Sequence, residues 1–105
     1  MELRQLKIFV MVAEEGSFTR AAQKMGYAQS NLTTQVRLLE EEFNTKLFER
    51  LGKRIALTAD GETLLLHAKK LLQYADEIKD TLTSSPAPNG ILNIGIAESL
   101  CIFKL

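Results

Sequence analysis

The stretch SFTRAAQKMGYAQSNLTTQVRLLEEEF, residues 17–43, decides the fold of this chain. Ser17 is a residue type that caps helix N-termini, and it predicts a short helix over residues 18–25. The inner face of that helix is made of Phe18, Ala21, Ala22 and Met25, which recur with helical spacing. Gly26 tolerates a positive φ and ends the helix. A further helix follows after a tight turn at residues 26–28, an arrangement typical of a helix-turn-helix motif.

The helix after the turn begins at Ala28 or Gln29, runs to Phe43 and carries two different faces. Asn44 ends it, because Asn is the usual substitute for Gly in the left-handed conformation. Its apolar stripe consists of Leu32, Val36, Leu39 and Phe43. Its opposite face carries polar and mostly short side chains, namely Ser30, Thr33, Thr34 and Arg37. Such a face can enter the major groove of DNA, and Gln29 and Asn31 lie at the end that a recognition helix points toward the bases. Either amide can pair with adenine through two hydrogen bonds.

Regular elements are predicted on both sides of this motif. Residues 3–15 indicate a first helix that ends at Gly16, and its apolar face is made of Leu6, Phe9, Val10 and Ala13. Residues 47–50 and 54–58 are two β-like runs, and Gly52 between them supplies the turn of a hairpin.

Charge is unevenly distributed along a chain whose formal net charge is zero. Residues 17–58 contain seven cations and four acids, so this part has a charge of +3 and the remainder a charge of −3. A basic patch is the electrostatic signature of nucleic-acid binding, whatever the total charge. Lys53 and Arg54 make the tip of the hairpin basic, which suits a wing that contacts the DNA backbone or the minor groove. The motif, its polar face and the basic hairpin together predict DNA binding, whereas the polar face alone would indicate only a solvated helix.

Residues 59–82 are predicted to form one long helix. Thr58 suits the N-cap position, although Asp60-Gly61 is also compatible with a turn that would move the start by two or three residues. Apolar side chains with alternating spacings of four and three form a heptad seam, which consists of Leu64, Ala68, Leu71, Ala75, Ile78 and Leu82. The seam favours dimerisation with a second copy, and packing against the first helix is the alternative. A helical dimerisation module that binds no DNA is the competing functional class.

The C-terminal residues indicate the start of a second domain. Residues 83–90 have the Ser, Pro and Gly composition of a linker. Residues 91–97, ILNIGIA, are apolar and β-rich, as in a strand buried on both faces of a parallel sheet. Because only eight residues follow this strand, we expect most of the second domain to be missing from this chain.

Catalysis finds no support in the sequence. His67 and Cys101 are the only His and Cys, which leaves no cluster for a metal site or a catalytic triad. Glu40, Glu41 and Glu42 are consecutive, so their side chains point to different sides of a helix and cannot converge as an acid and base pair. We therefore expect a protein that is not an enzyme and has no cofactor in this chain. The apolar runs are far shorter than the roughly 20 residues that span a bilayer, so we expect a cytoplasmic protein without a membrane partner.

Along essentially its whole length the sequence resembles the N-terminal part of LysR-type transcriptional regulators. The matching segments are LRQL (3–6) with Phe9, AEEGSFTRAA (13–22), AQSNLT (28–33), QV (35–36), LE (39–40), LFER (47–50), LTADG (57–61) and GILNIG (90–95). The resemblance implies a mostly α fold. It divides the chain into a winged helix-turn-helix DNA-binding domain (1–58), a linker helix for dimerisation (59–83), a hinge (84–90) and the first strand of an α/β effector domain (91–105).

The resemblance also implies partners and functional residues. Family members act as dimers or tetramers on interrupted inverted repeats in bacterial promoter DNA, with RNA polymerase as a further candidate partner, and their effector domain binds a small co-inducer. By position, the base-contacting residues are Gln29, Ser30, Asn31, Thr33 and Thr34. The residues for the DNA backbone and the wing are Thr19, Arg20, Arg37, Arg50, Lys53 and Arg54. Many members carry Arg where this chain has Thr34, so we expect this chain to make a weaker base or phosphate contact at that position.

Overall fold

A computed structural model describes residues 1–83 of the chain. Its elements, in chain order, are α1 (Leu3–Glu15), α2 (Phe18–Met25), α3 (Gln29–Phe43), β1 (Phe48–Leu51), β2 (Arg54–Leu57) and α4 (Ala59–Thr83). The predicted elements of this part of the chain are confirmed, with ends that differ by a residue or two. The predicted hinge at residues 84–90, the strand at 91–97 and Cys101 lie outside the described residues.

Local capping groups set the ends of the first three helices. The Ser17 hydroxyl accepts a hydrogen bond from the backbone N–H of Arg20 at 3.1 Å, which confirms the predicted N-cap of α2. Gly26 has a φ of 72°, and Asn44 has a φ of 53° at the end of α3. Gly26 thereby permits the sharp change of direction between α2 and α3, because residues with a Cβ atom rarely adopt this conformation.

The three N-terminal helices pack around a first core cluster. Its buried members are Ile8, Val12, Ala21, Ala22, Leu32 and Val36. The small side chains of Ala21 and Ala22 let α2 approach its neighbours closely, as the sequence indicated. The predicted inner face of α1 is partly wrong, because Val10 and Ala13 are only half-buried whereas Ile8 and Val12 are buried. The reason is that α1 is covered on two sides, so its buried sector is wider than one stripe.

A second core cluster joins the helices to the hairpin. Phe9, Leu39 and Leu47 are fully buried in it, with Leu64 and Leu65 of α4 packed against them. Phe48 belongs to both clusters, and its ring lies 5.3 Å from that of Phe9. The last residue of the predicted α3 stripe, Phe43, is 42% exposed, because its ring lines an open groove beside Leu64 and His67.

The hairpin is a two-stranded antiparallel sheet. Phe48 pairs with Leu57 and Leu51 pairs with Arg54, so the loop consists of Gly52 and Lys53. Gly52 has a φ of 66°, while Lys53 has no positive φ. Gly with a positive φ at the first loop position is typical of a type II′ turn, which matches the twist of the two strands.

One residue, Thr58, separates β2 from α4. Its hydroxyl accepts a hydrogen bond from the N–H of Gly61 at 3.0 Å and donates to the Lys46 carbonyl at 2.6 Å. The predicted N-cap is confirmed, and Asp60-Gly61 belongs to the helix rather than to a turn. Gly61 is buried, and a Cβ atom at this position would lie 2.1 Å from the carbonyl oxygen of Leu47. The first turn of α4 therefore packs directly on the backbone that leads into β1.

The heptad seam of α4 has two different environments. In the compact unit of residues 1–73, Ala68 is fully buried, Leu64 packs against the second core cluster, and Lys69 pairs with Glu14 of α1 at 3.1 Å. Ala68 is thus buried and Leu64 half-buried within their own chain, and the dimerisation role of both residues stays a prediction. Leu71, in the same unit, is 43% exposed.

The second unit begins at Tyr74, and its described residues are the C-terminal end of α4. Here Ala75 is half-buried, and Ile78 and Leu82 are exposed. Within residues 1–83, no helix has the length and apolarity needed to cross a membrane.

Candidate nucleic-acid interface

The N-terminal end of α3 presents an exposed polar surface. Gln29, Ser30, Asn31 and Thr33 are all exposed, as the sequence predicted. Thr34 is half-buried and lies at the margin of this surface rather than in its middle. We call the surface formed by these five residues the recognition face.

Two backbone donors add to the recognition face. Ala28, at the N-cap of α3, makes no side-chain hydrogen bond, and its carbonyl accepts from the N–H of Asn31 at 3.1 Å. Within residues 1–83 no hydrogen bond engages the N–H of Gln29 or Ser30. Unpaired N–H groups at a helix N-terminus can bind a phosphate oxygen, and the helix dipole favours the negative charge there.

Hydrogen bonds within the protein orient the side chains of this surface. The Thr19 hydroxyl at the start of α2 lies 3.0 Å from Oε1 of Gln29, which connects the two helices of the motif. The Thr33 hydroxyl donates to the backbone carbonyl of Gln29 at 3.2 Å, so its oxygen remains free to accept. These contacts place Thr19 beside the recognition face, where its neighbour Arg20 is also exposed.

A chain of amide groups connects α1 to α3. The backbone N–H of Glu2 donates to Oε1 of Gln5 at 3.1 Å, and Nε2 of Gln5 donates to Oε1 of Gln35 at 2.9 Å. Nε2 of Gln35 then lies 3.5 Å from Oδ1 of Asn31, on the recognition face. Gln5 and Gln35 are half-buried. Their contact has no signature in the sequence, because residues thirty positions apart have no visible relation in one sequence.

Exposed cations lie on α2, α3 and the hairpin, the elements of the winged motif. They are Arg20, Arg37, Arg50, Lys53 and Arg54. A groove between α3 and the hairpin is lined by the rings of Phe18 and Phe48. Its charged lining consists of three cations and two acids, namely Arg37, Lys46, Arg50, Glu40 and Glu49. Lys46 was counted in the charge of this region but was not predicted as a site residue. Positive charge therefore lies on both sides of the recognition face.

Arg37 is engaged in an ion pair on its own helix. Its Nη1 atom lies 2.8 Å from Oε2 of Glu41, and both side chains are more than half exposed. Exposed pairs with this spacing contribute only about 0.3–0.5 kcal/mol. Such a weak pair leaves Arg37 available to a phosphate.

The three consecutive acids of α3 have three separate partners. Oε2 of Glu40 accepts from the backbone N–H groups of Leu47 at 2.9 Å and Phe48 at 3.4 Å. Glu41 pairs with Arg37, and Glu42 pairs with the N-terminal amine at 2.8 Å. The prediction that these acids do not converge is confirmed. The role of Glu40, which fixes the start of the hairpin to α3, was not foreseen.

Comparison with known sequences places this arrangement among bacterial regulators. A family model described as "Bacterial regulatory helix-turn-helix protein, lysR family" matches residues 3–62. The chain is 45% identical over 100 residues to the HTH-type transcriptional regulator CzcR of Bacillus thuringiensis subsp. konkukian (strain 97-27), covering 95% of this chain and 35% of CzcR. It is 44% identical over 105 residues to the uncharacterized HTH-type transcriptional regulator YwqM of Bacillus subtilis (strain 168), covering 100% of this chain and 36% of YwqM. The chain thus spans about a third of the length of these curated relatives.

Solved structures of DNA complexes have the same architecture. The BenM DBD in its complex with catB site 1 DNA superimposes with a TM-score of 0.81 at 38% identity, covering 86% of this chain and 100% of that chain. The CbnR DBD in its DNA complex gives a TM-score of 0.77 at 36% identity, covering 83% of this chain and 100% of that chain. The three helices and the hairpin are therefore a winged helix-turn-helix, and α4 is the long helix that follows it.

Proposed function

This chain belongs to the lysR family of bacterial regulatory helix-turn-helix proteins, and from that premise we propose how its residues bind operator DNA. The recognition face of α3 enters the major groove, with Gln29, Ser30, Asn31 and Thr33 toward the base edges. The observation that carries this proposal is that the leading end of α3 is exposed and polar, with two unpaired backbone N–H groups. Thr34, which is half-buried, has a marginal part in base contact.

Cations around the recognition face bind the DNA backbone in this proposal. Thr19 and Arg20 contact phosphates from the start of α2, and Arg37 exchanges its weak pair with Glu41 for a phosphate. Arg50 and Lys46 line the groove between α3 and the hairpin, while Lys53 and Arg54 extend the positive charge to the tip of the wing. Because phosphate contacts carry no sequence information, this group supplies affinity and orientation rather than specificity.

We further propose that α4 dimerises two copies through the part of its seam that remains exposed. Leu71, Ile78 and Leu82 are exposed, whereas Ala68 is buried and Leu64 is half-buried in its own chain. A dimer would place two recognition faces on one DNA molecule, with half-sites separated by multiples of about 34 Å. Dimers or tetramers on interrupted inverted repeats are the corresponding proposal for its assembly on DNA. We likewise propose a small-molecule co-inducer, a contact with RNA polymerase, a cytoplasmic location and the absence of enzyme activity.

A salt series tests DNA binding directly. Binding of the 105-residue chain to a labelled double-stranded DNA library should weaken steeply as salt rises, with a logarithmic slope of about −0.9 per phosphate contacted. Lys53→Ala should reduce the magnitude of this slope by about one. The control variant Lys70→Ala removes an exposed cation of α4, far along the chain from the wing, and should leave the slope unchanged.

Two outcomes would contradict the proposal. Absence of binding at low salt would favour a helical dimerisation module that does not use DNA, a function for which the exposed apolar residues of α4 are the supporting observation. An equal effect of Lys53→Ala and Lys70→Ala would show that the wing makes no phosphate contact of its own.

A further inference from the structure

We propose that Gln5 and Gln35 are positioning residues that make Asn31 a hydrogen-bond donor toward DNA, so that this position selects a base with an acceptor edge. The proposal rests on the proposed function, because it concerns how the recognition face discriminates between bases. It narrows the sequence-based hypothesis that either Gln29 or Asn31 can pair with adenine through two hydrogen bonds. It also gives a residue of α1 an effect on base preference.

The direction of the amide chain is fixed at its α1 end. The backbone N–H of Glu2 can only donate, so the atom of Gln5 that faces it must be the carbonyl oxygen Oε1. The amino group of Gln5 is then the atom that faces Gln35 at 2.9 Å, and it requires the Gln35 carbonyl oxygen there. The amino group of Gln35 is left to face Asn31, and it requires Oδ1 of Asn31.

Each contact in this chain therefore follows from the one before it. Reversing a single amide would place two oxygens or two amino groups opposite each other, and neither arrangement makes a hydrogen bond. Of the three contacts that link Glu2, Gln5, Gln35 and Asn31, the one between Gln5 and Gln35 is the shortest. It is partly buried, so water competes with it less than at an exposed site. The contact to Asn31 is long at 3.5 Å and therefore orients the amide rather than immobilising it.

The effect on base preference depends on which hydrogen-bonding group of Asn31 is not used within the protein. Oδ1 faces Gln35, and within residues 1–83 no hydrogen bond engages the amino group Nδ2. An amino group is a donor, and the major-groove acceptors are N7 and O6 of guanine, O4 of thymine and N7 of adenine. Paired contact with adenine would also need Oδ1 to accept from the adenine amino group. We therefore expect guanine or thymine opposite Asn31, and cytosine, whose edge carries a donor, to be the least favoured base.

Gln29 does not share this fixed direction. Its Oε1 atom faces the Thr19 hydroxyl at 3.0 Å, and a hydroxyl can donate or accept. The Gln29 amide can therefore turn over without losing its partner, whereas turning over the Asn31 amide places its amino group against that of Gln35 and loses their contact. This difference makes Asn31 the position at which a directional base preference is expected.

The decisive variant is Gln5→Glu, which changes a residue of α1 outside the recognition face. A carboxylate still accepts from Glu2, but its second oxygen now faces Gln35, which must turn its amino group toward α1. Gln35 then presents an oxygen to Asn31, and Asn31 must turn its own amino group inward and its oxygen outward. Gln35→Glu reverses Asn31 in one step instead of two, and Asn31→Asp places an acceptor on the recognition face directly.

The experiment is selection of bound sequences from a random double-stranded DNA library by the 105-residue chain, followed by sequencing. We expect the wild-type chain to enrich guanine or thymine at one operator position several-fold over cytosine. Gln5→Glu, Gln35→Glu and Asn31→Asp should each shift that position toward cytosine or adenine, whose edges carry an amino group. Gln73→Glu adds the same charge at an exposed position of α4 and should enrich the same bases as the wild type.

The outcomes separate this inference from the proposed function. If the wild type enriches a motif and Gln5→Glu and Gln35→Glu enrich the same one, the amide chain does not orient Asn31 and the inference is wrong, while DNA binding stands. An unchanged preference in Asn31→Asp, which alters only an exposed side chain, would show that Asn31 contacts no base and would also overturn the inference. A wild-type chain that enriches no sequence would overturn the proposed function itself. Far-UV circular dichroism confirms that each variant is folded.

Discussion

Substitution of Gly61 by Ala is the sharpest test of how α4 packs on the winged domain. An added Cβ atom would lie 2.1 Å from the Leu47 carbonyl oxygen and 2.9 Å from Cδ2 of Leu57. The Leu57 side chain can rotate away, but the Leu47 backbone cannot. Glu40 holds its N–H group, Thr58 donates to its carbonyl at 3.1 Å, and its side chain is buried.

The expected change in the free energy of unfolding depends on how far α4 must shift to accommodate the added Cβ atom. To reach an acceptable separation, the first turn of α4 must shift by about 1 Å away from Leu47, because packed interiors have no spare volume. Such overpacking costs about 1–3 kcal/mol. Loss of one or two hydrogen bonds around Thr58 adds about 1 kcal/mol each. The higher helix propensity of Ala offsets about 1 kcal/mol of this. These contributions sum to about 1–4 kcal/mol, and we expect a net loss near the middle of that range, about 2–3 kcal/mol in the free energy of unfolding.

The assay is thermal and urea unfolding followed by far-UV circular dichroism. For a domain of this size, the expected loss lowers Tm by about 10–20 °C. Lys70→Ala, at an exposed position of the same helix, is the control and should change stability by no more than about 0.5 kcal/mol. A Gly61→Ala chain as stable as the wild type, or more stable, would refute the reasoning. It would mean that helix propensity outweighs the contact with Leu47.

Three further predictions follow from other contacts. Glu40→Ala should destabilise the chain by about 1–3 kcal/mol in urea unfolding, because it leaves the N–H groups of Leu47 and Phe48 without an acceptor; Glu40→Gln keeps an acceptor oxygen and should lose less, so equal losses would contradict this role. Leu71→Asp should abolish dimerisation and weaken operator binding in sedimentation and binding assays, with little effect on folding because Leu71 is 43% exposed; an unchanged sedimentation coefficient would argue against pairing through α4. Gln29→Ala should relax base preference at one operator position by about 1–3 kcal/mol in competition binding, and a uniform loss on all sequences would instead indicate a backbone contact.

Features of the fold that depend on neighbouring residues could be predicted from the sequence. The caps at Ser17 and Asn44 and the turn at Gly26 were predictable, because each depends on the conformational preference of one residue and on groups within four positions of it. The exposed polar end of α3 was predictable for the same reason, since helical spacing separates it from Leu32 and Val36.

Features that depend on packing between distant segments could not be predicted in this way. The burial of Ile8 and Val12 in place of Val10 and Ala13 results from the covering of α1 on two sides. A heptad seam has the same spacing whether it faces a second copy or its own domain, so the sequence could not assign Ala68 to the interior.

Parts of the candidate site were hidden for a related reason. Gln5 and Gln35 meet only after α1 and α3 have packed together. The need for Gly at position 61 exists only because Leu47 lies against it. Both relations become visible once the chain has folded, and neither has a signature in local composition.

The single residue between β2 and α4 has a mechanical consequence. Thr58 makes hydrogen bonds to the Lys46 carbonyl, to the Leu47 carbonyl and to the first turn of α4. The connection between β2 and α4 is therefore short and rigid. Turning the first turns of α4 about their axis must carry the hairpin with them, since no flexible segment is present to absorb the rotation. A rotation of this helix about its axis would thus change the angle at which the wing meets a DNA duplex. Insertion of a few glycines between β2 and α4 would let the helix rotate without moving the hairpin.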